Sequence, residues 1–292
     1  MSNPITRKSK RMKRRANAME EEDEKFSDDE NNMDPNAMEE INVDLFLENQ
    51  SQNDYSEIVN FLIHSSLKYV GMNLYALTDV LLTTECGSII KTETDKYGIA
   101  IPLELQKMPS DIVSPLSHFI TETFKTRCPE KLQLVQNVLS GADGRTVFIV
   151  NERLVNCPYD LTSLLHNTIY EEIGIYDKEH NITEPVKHFI LLASAVIGVD
   201  NGEEDDDDGA MKRKKKKVSN SQQLEYVLME NEVYAKYAEA IATVKTPGKD
   251  RWTLPGKVSD FTSVIIINRD NVQKILDEIA LLFGVSKFEE QN

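Results

Sequence analysis

Three long apolar segments constrain the fold of this chain more than any other feature of its sequence. Arg145–Val150 and Lys187–Val199 are mainly apolar runs, and Phe261–Asn268 reads FTSVIIIN. Continuous runs rich in Val and Ile are typical of strands that are buried on both faces. Strands of this kind need helices packed against them, so the runs predict an α/β domain of two or three layers around one mixed sheet.

Shorter segments between these runs alternate between helical and strand patterns. Asp54 and Asp160 each precede an apolar helical pattern and are the predicted N-caps of the two helices that follow. The predicted helices are Ser56–Val70, Leu74–Leu82, Asp111–Lys125, Pro129–Leu139, Asp160–Ile173, Glu232–Ala242 and Asn271–Phe283. The other predicted strands are Ile41–Glu48, Gly87–Thr92, Gly98–Leu103 and Gln223–Glu230. We therefore predict a single mixed-sheet domain flanked by helices.

Four blocks of charge divide the chain. Arg7–Arg15 and Lys212–Lys217 are basic, whereas Glu20–Glu30 and Glu203–Asp208 are acidic. Such blocks cannot bury apolar area and are typical of solvated, disordered segments. We predict a disordered tail over residues 1–40, a folded domain over 41–285 with a disordered acidic and basic loop at 200–219, and a short tail at 286–292.

The net charge of −16 comes from the body of the chain. The four blocks contain fourteen bases and fourteen acids, so they cancel, and 19 bases and 35 acids remain outside them. A body this acidic argues against a direct, sequence-specific nucleic-acid binder, which needs cations against phosphate. It favours basic protein partners.

The search for a catalytic site in the sequence is mostly negative. The chain has no phosphate-binding glycine loop, no HExxH pair and no GxSxG turn, so no catalytic residue, cofactor or metal is predicted. His64, His118 and His166 fall within predicted helices without ligands at metal-binding spacing, so surface or hydrogen-bonded helical histidines are expected. Glu171 and Glu172 are interpreted as a solvated helix face, and Ser140–Gly144 as a plain helix-to-strand turn.

The spacing of the cysteines and the lengths of the apolar runs indicate the cellular compartment of the protein. Cys86, Cys128 and Cys157 are widely spaced and form no metal-binding pair, so we expect a reducing compartment and, for Cys86 and Cys157, buried inert thiols. No apolar run is long enough for a membrane span. No apolar segment follows the basic N-terminal residues as it would in a secretory signal.

The basic run of the predicted loop suggests nuclear import. Six consecutive cations, Lys212, Arg213, Lys214, Lys215, Lys216 and Lys217, are typical of an import signal read by a nuclear import receptor. A contact to nucleic acid or anionic lipid is the alternative. The adjacent acidic block would compete with phosphate for these lysines, which favours import.

Ser27 is a candidate phosphorylation site. It precedes Asp28, Asp29 and Glu30, a context that acid-directed kinases prefer. An unmodified solvated serine is the equal alternative.

One segment resembles a known family. Val147–Ile173 runs from an apolar strand through an Asn-Glu-Arg turn into a helix, and Asn151, Glu152, Arg153, Asn156 and Pro158 match the BCCIP family's motif in order. Ile41–Asp44 is similar to that family's opening strand, and Gly87–Lys91 to its glycine-apolar-lysine segment. Glu230–Ala240, Trp252 and Val264–Phe283 fit its C-terminal layout, so the resemblance covers about residues 41–285.

The resemblance implies a fold like that of the GCN5-type N-acetyltransferases without their activity. The glycine signature that binds the coenzyme's pyrophosphate is absent from this chain. Members of the family are nuclear. They act as chaperone and export factor for a large-subunit ribosomal protein, and in animals they bind a recombination mediator and a cyclin-dependent kinase inhibitor.

The main functional hypothesis is a non-enzymatic nuclear protein that chaperones and exports a basic ribosomal protein, moving between nucleus and cytoplasm. A cell-cycle and DNA-repair adaptor is the alternative. A diverged acetyltransferase is a third hypothesis, which rests on fold analogy alone.

Overall fold

The computed structural model describes residues 10–11, 45–155, 157–198, 224–248, 251–252 and 257–284. Within these ranges, ten strands form one sheet. The strands are β1 Lys10–Arg11, β2 Phe46–Glu48, β3 Ser88–Lys91, β4 Lys96–Glu104, β5 Arg145–Arg153, β6 Val186–Gly198, β7 Glu225–Tyr226, β8 Ala240–Lys245, β9 Arg251–Trp252 and β10 Lys257–Asn268.

Seven α-helices accompany the sheet in the described part of the chain. They are α1 Tyr55–His64, α2 Leu74–Thr83, α3 Ser110–Arg127, α4 Leu132–Ser140, α5 Asp160–Glu179, α6 Glu230–Lys236 and α7 Val272–Phe283. Short 3-10 helices lie at Gln52–Asp54, Ser66–Tyr69, Leu105–Lys107, Pro129–Lys131 and Arg269–Asn271.

The sheet is mixed, as predicted. Its order is β1-β2-β3-β4-β5-β6-β10-β8, with β7 paired to β6 and β9 paired to β10. The β5–β6 pair is parallel, and the other pairs are antiparallel. The parallel pairing begins at Arg145 and ends where Ile149 meets Leu191, although both strands continue beyond that point.

Side chains that alternate along the strands build a core on each face of the sheet. In β5, Phe148 and Val150 pack with α1 to α4, whereas Val147 and Ile149 pack with α5 to α7. The protein therefore has three layers, helices on both faces of a mixed sheet, which confirms the α/β class. The long apolar runs belong to the central strands β5, β6 and β10, which are covered on both sides.

Two helix starts differ from the predictions. Asp54 occupies the N-cap position of α1, but its carboxylate accepts hydrogen bonds from the amide and hydroxyl of Ser51 and caps nothing in α1. Tyr159, rather than Asp160, is the N-cap of α5. The helix predicted over Ser56–Val70 is interrupted at Ser65, whose hydroxyl accepts the Leu67 amide and starts a separate 3-10 helix.

The segment between residues 223 and 242 was predicted wrongly. The expected strand Gln223–Glu230 is reduced to the two-residue β7, and the expected helix Glu232–Ala242 is divided between α6 and strand β8. Pairing of β8 with β10, in which Ile241 lies opposite Ile265, overrides the helical preference of the alanines in this stretch.

Glu172 is a further correction, because it is buried rather than solvated. Helix α5 continues past it to Glu179, and its carboxylate accepts the Gly87 amide at 2.6 Å. Gly87 has φ of +117°, and a Cβ there would lie 2.9 Å from Ile101. Only glycine fits this position, where the first residue of the family-like glycine-apolar-lysine segment joins α5 to the sheet.

Some predictions fall outside the described residues. These are Ser27, the basic run Lys212–Lys217, Asn156, residues 41–44, the whole charged loop 200–219 and most of the tails. Lys10–Arg11 is described and pairs with β2, so this dipeptide departs from the predicted disordered tail.

Candidate functional site

The Asn-Glu-Arg motif lies at the end of β5, beyond the point where β5 stops pairing with β6. Because side chains alternate along a strand, Asn151 and Arg153 face α5 to α7, whereas Glu152 faces α1 to α4. The three residues therefore serve two different environments, a buried polar cluster on one face and an open cleft on the other.

Glu230, the first residue of α6, is the centre of the buried cluster. Arg153 Nη2 donates to Glu230 Oε2 at 2.7 Å, and Asn151 Nδ2 donates to Glu230 Oε1 at 3.3 Å. The side chains of Arg153 and Glu230 are 3% and 0% exposed, so this is a fully desolvated ion pair. Burial alone would raise the pKa of Glu230, but His166 and Arg153 hold that pKa below its ordinary value.

His166 extends the cluster along α5 and α6. Its Nε2 lies 3.5 Å from Glu230 Oε1, and its Nδ1 lies 2.8 Å from the Tyr234 hydroxyl, which is 3.2 Å from the Tyr170 hydroxyl. The arrangement is satisfied when Tyr170 donates to Tyr234, Tyr234 donates to Nδ1, and Nε2–H donates to Glu230. Burial raises the pKa of both tyrosines, so they act as neutral donors. The prediction of a hydrogen-bonded helical histidine is confirmed for His166.

The cluster fastens the segment after the charged loop to the sheet. β7 pairs with Ala195 and Val196 of β6, next to the place where β5 has diverged, and the Val227 amide donates to the Ser194 carbonyl at 2.9 Å. Glu230 follows directly and ties α6 to the end of β5. Residues of β7 and α6 thus close one side of the opening between the two parallel strands. The buried cluster has a structural role, because it holds α6 against the end of β5.

The other side of this opening is a cleft of about 510 Å³. The ends of β5 and β6, the segment after β7 and the 3-10 helix after α1 form its walls, and the Ser66 and Ser194 hydroxyls meet at 2.6 Å across one side. The lining residues are Phe61, His64, Ser65, Ser66, Lys68, Tyr69, Glu152, Arg153, Leu154, Val155, Ser194, Ala195, Val227, Leu228, Thr246, Asp260 and Phe261.

Glu152 contributes a partly buried carboxyl group to this cleft. Burial raises the pKa of Glu152 to about 8, and the charge of Glu230 on the opposite face of the sheet acts in the same direction, while the nearby Ser65 hydroxyl opposes the shift. A carboxyl group of this kind is mostly protonated at pH 7.

We expect the variant Glu152→Gln to unfold at higher urea than the parent, and by a larger margin at pH 8 than at pH 5. An acid whose pKa is raised by folding loses stability as pH climbs from its unfolded pKa to its folded one. Glutamine has the shape of the protonated carboxyl and does not titrate. Urea midpoints at both pH values measure the effect, with the exposed Glu171→Gln as control. A margin that does not change with pH would contradict the raised pKa.

The other motif residues have simpler places. Pro158 is exposed in the turn that leads into α5, and its carbonyl accepts the Leu161 amide at 3.3 Å. Sequence reasoning missed Glu230 as the partner of the motif, although a charged Arg153 at the end of a buried strand signals that an acid must lie nearby.

Two searches of the described ranges concern other kinds of site. Nowhere in them do three or more His, Cys, Asp or Glu side chains converge as metal ligands would. No helix of this part combines the length and apolar character that crossing a membrane requires.

Comparison with known proteins decides the family. The family model described as BCCIP matches residues 40–234, which contain the motif, Gly87 and Glu230. This chain belongs to the BCCIP family. Its resemblance to that family, inferred from the motif residues, is confirmed.

One solved structure shows the same fold. The crystal structure of BCP1 from Saccharomyces cerevisiae has a TM-score of 0.55 and 16% identity, covering 86% of this chain and 93% of BCP1, so the two share a fold. An uncharacterized protein from Bacillus halodurans reaches a TM-score of 0.31 at 6% identity, covering 82% of this chain and 92% of that one. No curated protein gives a significant match.

Proposed function

We propose that this BCCIP-family protein is a non-enzymatic nuclear binding protein that acts as chaperone and export factor for a basic large-subunit ribosomal protein. Membership of the family, matched over residues 40–234, is the observation that carries this proposal. A ribosomal protein exposes cations that bind RNA nonspecifically when unprotected. An acidic partner masks those cations and is guided to them by long-range attraction.

The charge distribution supports the proposal. The 35 acids against 19 bases outside the low-complexity blocks make the body of the chain the source of its net charge. Binding that depends on such a charge weakens as salt screens it.

The proposed client interaction is tested by passing a nuclear extract over the immobilised full-length protein. We expect a basic large-subunit protein to be retained at low salt and lost progressively as the salt concentration rises. Identification by mass spectrometry names the client. Retention of no ribosomal protein at either salt concentration would overturn the proposal.

A cell-cycle and DNA-repair adaptor is the alternative that the family resemblance implies. Its partners would be a recombination mediator and a cyclin-dependent kinase inhibitor. The same capture experiment distinguishes the two roles, because an adaptor would retain those partners and no ribosomal protein.

Acetyltransferase activity receives no support from the site. The segment Leu154–Tyr159, which joins β5 to α5, contains no glycine, so the close backbone approach to a pyrophosphate is not available there. Binding of acetyl-coenzyme A in calorimetry would reverse this part of the proposal.

Nuclear import through the basic run is a separate expectation. Replacing Lys212–Lys217 with alanines should reduce nuclear accumulation of a fusion too large to enter by diffusion, because an import receptor reads clustered cations. Fluorescence microscopy gives the nuclear-to-cytoplasmic ratio. Alanines at the exposed Lys125 and Lys178 show whether loss of cations elsewhere on the surface also lowers import. Unchanged import would transfer the role to Arg7–Arg15.

A further inference from the structure

The cleft between the ends of β5 and β6 contains apolar walls and a carboxyl group that take no part in the buried cluster. Its walls are mainly apolar and include the rings of Phe61, Tyr69 and Phe261. Leu154 and Val155 lie at its edge and are 44% and 64% exposed. An apolar cleft with a carboxyl group in it, open to solvent, is a place for a ligand rather than a packed core.

Glu152 has no cation bound to it among the described residues, in contrast to Glu230 on the opposite face of the sheet. The Ser65 hydroxyl, its polar neighbour, already donates to the Leu62 carbonyl at 2.8 Å and accepts the Leu67 amide at 3.1 Å. One hydroxyl hydrogen cannot satisfy two acceptors fully, so an ionised Glu152 would lack a strong donor. A cationic donor entering the cleft would supply it.

We propose that this cleft binds an arginine side chain of a basic protein partner, with its guanidinium on the Glu152 carboxylate and its aliphatic stem along the apolar walls. This inference rests on the proposed function, which supplies a cationic client, and it names where that client is anchored. Arginine fits better than lysine because a guanidinium pairs with a carboxylate in two parallel hydrogen bonds and stacks on aromatic rings. The stem of a long cationic side chain packs well on apolar surface.

The charges around the cleft are compatible with a cation. Arg153 is neutralised by Glu230 at 2.7 Å, and Asp260 adds a second carboxylate to the lining. Lys68 and His64 lie on the helical side, where Lys68 is exposed and stands 5.0 Å from the ring of Tyr69. These groups, together with Glu152, are the charged and titratable residues that face the ligand.

Binding of the cation is coupled to loss of a proton. With a pKa of about 8, about one Glu152 in ten is ionised at pH 7 and about nine in ten at pH 9. The guanidinium binds the ionised form, so its affinity should rise about tenfold between these pH values. Arginine stays charged throughout, so the change belongs to the protein.

The test uses short fluorescein-labelled peptides with capped ends and one central arginine, lysine or citrulline. Fluorescence anisotropy with the full-length protein at pH 8 should show that the arginine peptide binds at least tenfold more tightly than its neutral citrulline counterpart, with lysine between them. The variant Glu152→Gln should abolish this preference and its rise with pH. The exposed Glu171→Gln, which lies outside the cleft, should keep both.

Each outcome separates the inference from the proposed function. Equal affinity for the arginine and citrulline peptides, or an arginine preference that survives Glu152→Gln, would overturn the cleft as an arginine site. Capture of a ribosomal protein that is unaffected by Glu152→Gln would leave the chaperone role standing and place the client elsewhere. Arginine selectivity without capture of any ribosomal protein would support the cleft and refute that client.

Discussion

The variant Glu230→Ala is expected to lower the free energy of unfolding by about 3–5 kcal/mol, the range for removing one partner of a buried ion pair. The substitution leaves Arg153, whose side chain is 3% exposed, charged and without its carboxylate at 2.7 Å. It also removes the acceptor of Asn151 Nδ2 and of His166 Nε2. Urea denaturation followed by circular dichroism measures the change.

Most of this loss of stability should come from leaving Arg153 buried and unpaired, and less of it from the missing contact itself. Replacing both partners, as in Arg153→Met with Glu230→Leu, should therefore recover much of the stability that the single substitution removes. Glu232→Ala is the matched control, because Glu232 is exposed on the same helix and should change stability by no more than about 0.5 kcal/mol. A single variant as stable as this control would show that the pair does not hold α6 in place.

The architecture could be predicted because its central strands coincide with long apolar runs in the sequence. Arg145–Val150, Lys187–Val199 and Phe261–Asn268 all became strands buried on both faces, and the long helix patterns around α2, α3 and α7 ended within two residues of their predicted bounds. The ends of helices and strands were predicted less accurately where a side chain forms a different hydrogen bond from the expected one, as Asp54 does with Ser51.

The region after the charged loop could not be predicted, since tertiary pairing decides its structure. Ala240 and Ala242 favour a helix by propensity, yet they lie in β8 because Val264 and Ile266 of β10 offer a strand edge. The two-residue β7 can form because β5 does not pair with β6 beyond Leu191. Neither condition can be read from residues 223–242.

Only part of the site could be predicted from the sequence. The Asn-Glu-Arg motif was identified, but not its division between two faces, which requires knowing that the strand continues through it to Arg153. Its partner Glu230 lies 77 residues along the chain from Arg153 and follows an apolar stretch with no motif of its own. Contacts at this separation come from the topology of the sheet.

Strand β5 is held by an arginine at each end, and the first of them is the less buried. Arg145 forms two hydrogen bonds to Asp177, with Nη1 at 3.0 Å from Oδ2 and Nη2 at 2.8 Å from Oδ1. The same guanidinium donates to Glu104 Oε2 at 2.9 Å and to the Glu184 carbonyl at 2.6 Å. One planar group thus joins β4, β5, the end of α5 and the segment before β6.

We expect Arg145→Lys to lower the free energy of unfolding by about 3 kcal/mol at pH 7, since an ammonium cannot hold these acceptors in a fixed planar arrangement. Burial would raise the pKa of Glu104, but Arg145 and Lys107 hold it below its ordinary value. A carboxyl with a lowered pKa contributes stability above its unfolded pKa and loses it as pH falls through the folded one. The difference in unfolding free energy between parent and variant should therefore shrink below about pH 4.5, the ordinary pKa of Glu104.

Urea denaturation at pH 7 and at pH 4 tests this prediction. The variant Lys107→Ala is the control, because Lys107 is 54% exposed and its pair with Glu104 contributes at most about 1 kcal/mol. A loss that stays the same at both pH values would assign the effect of Arg145 to packing instead of charge.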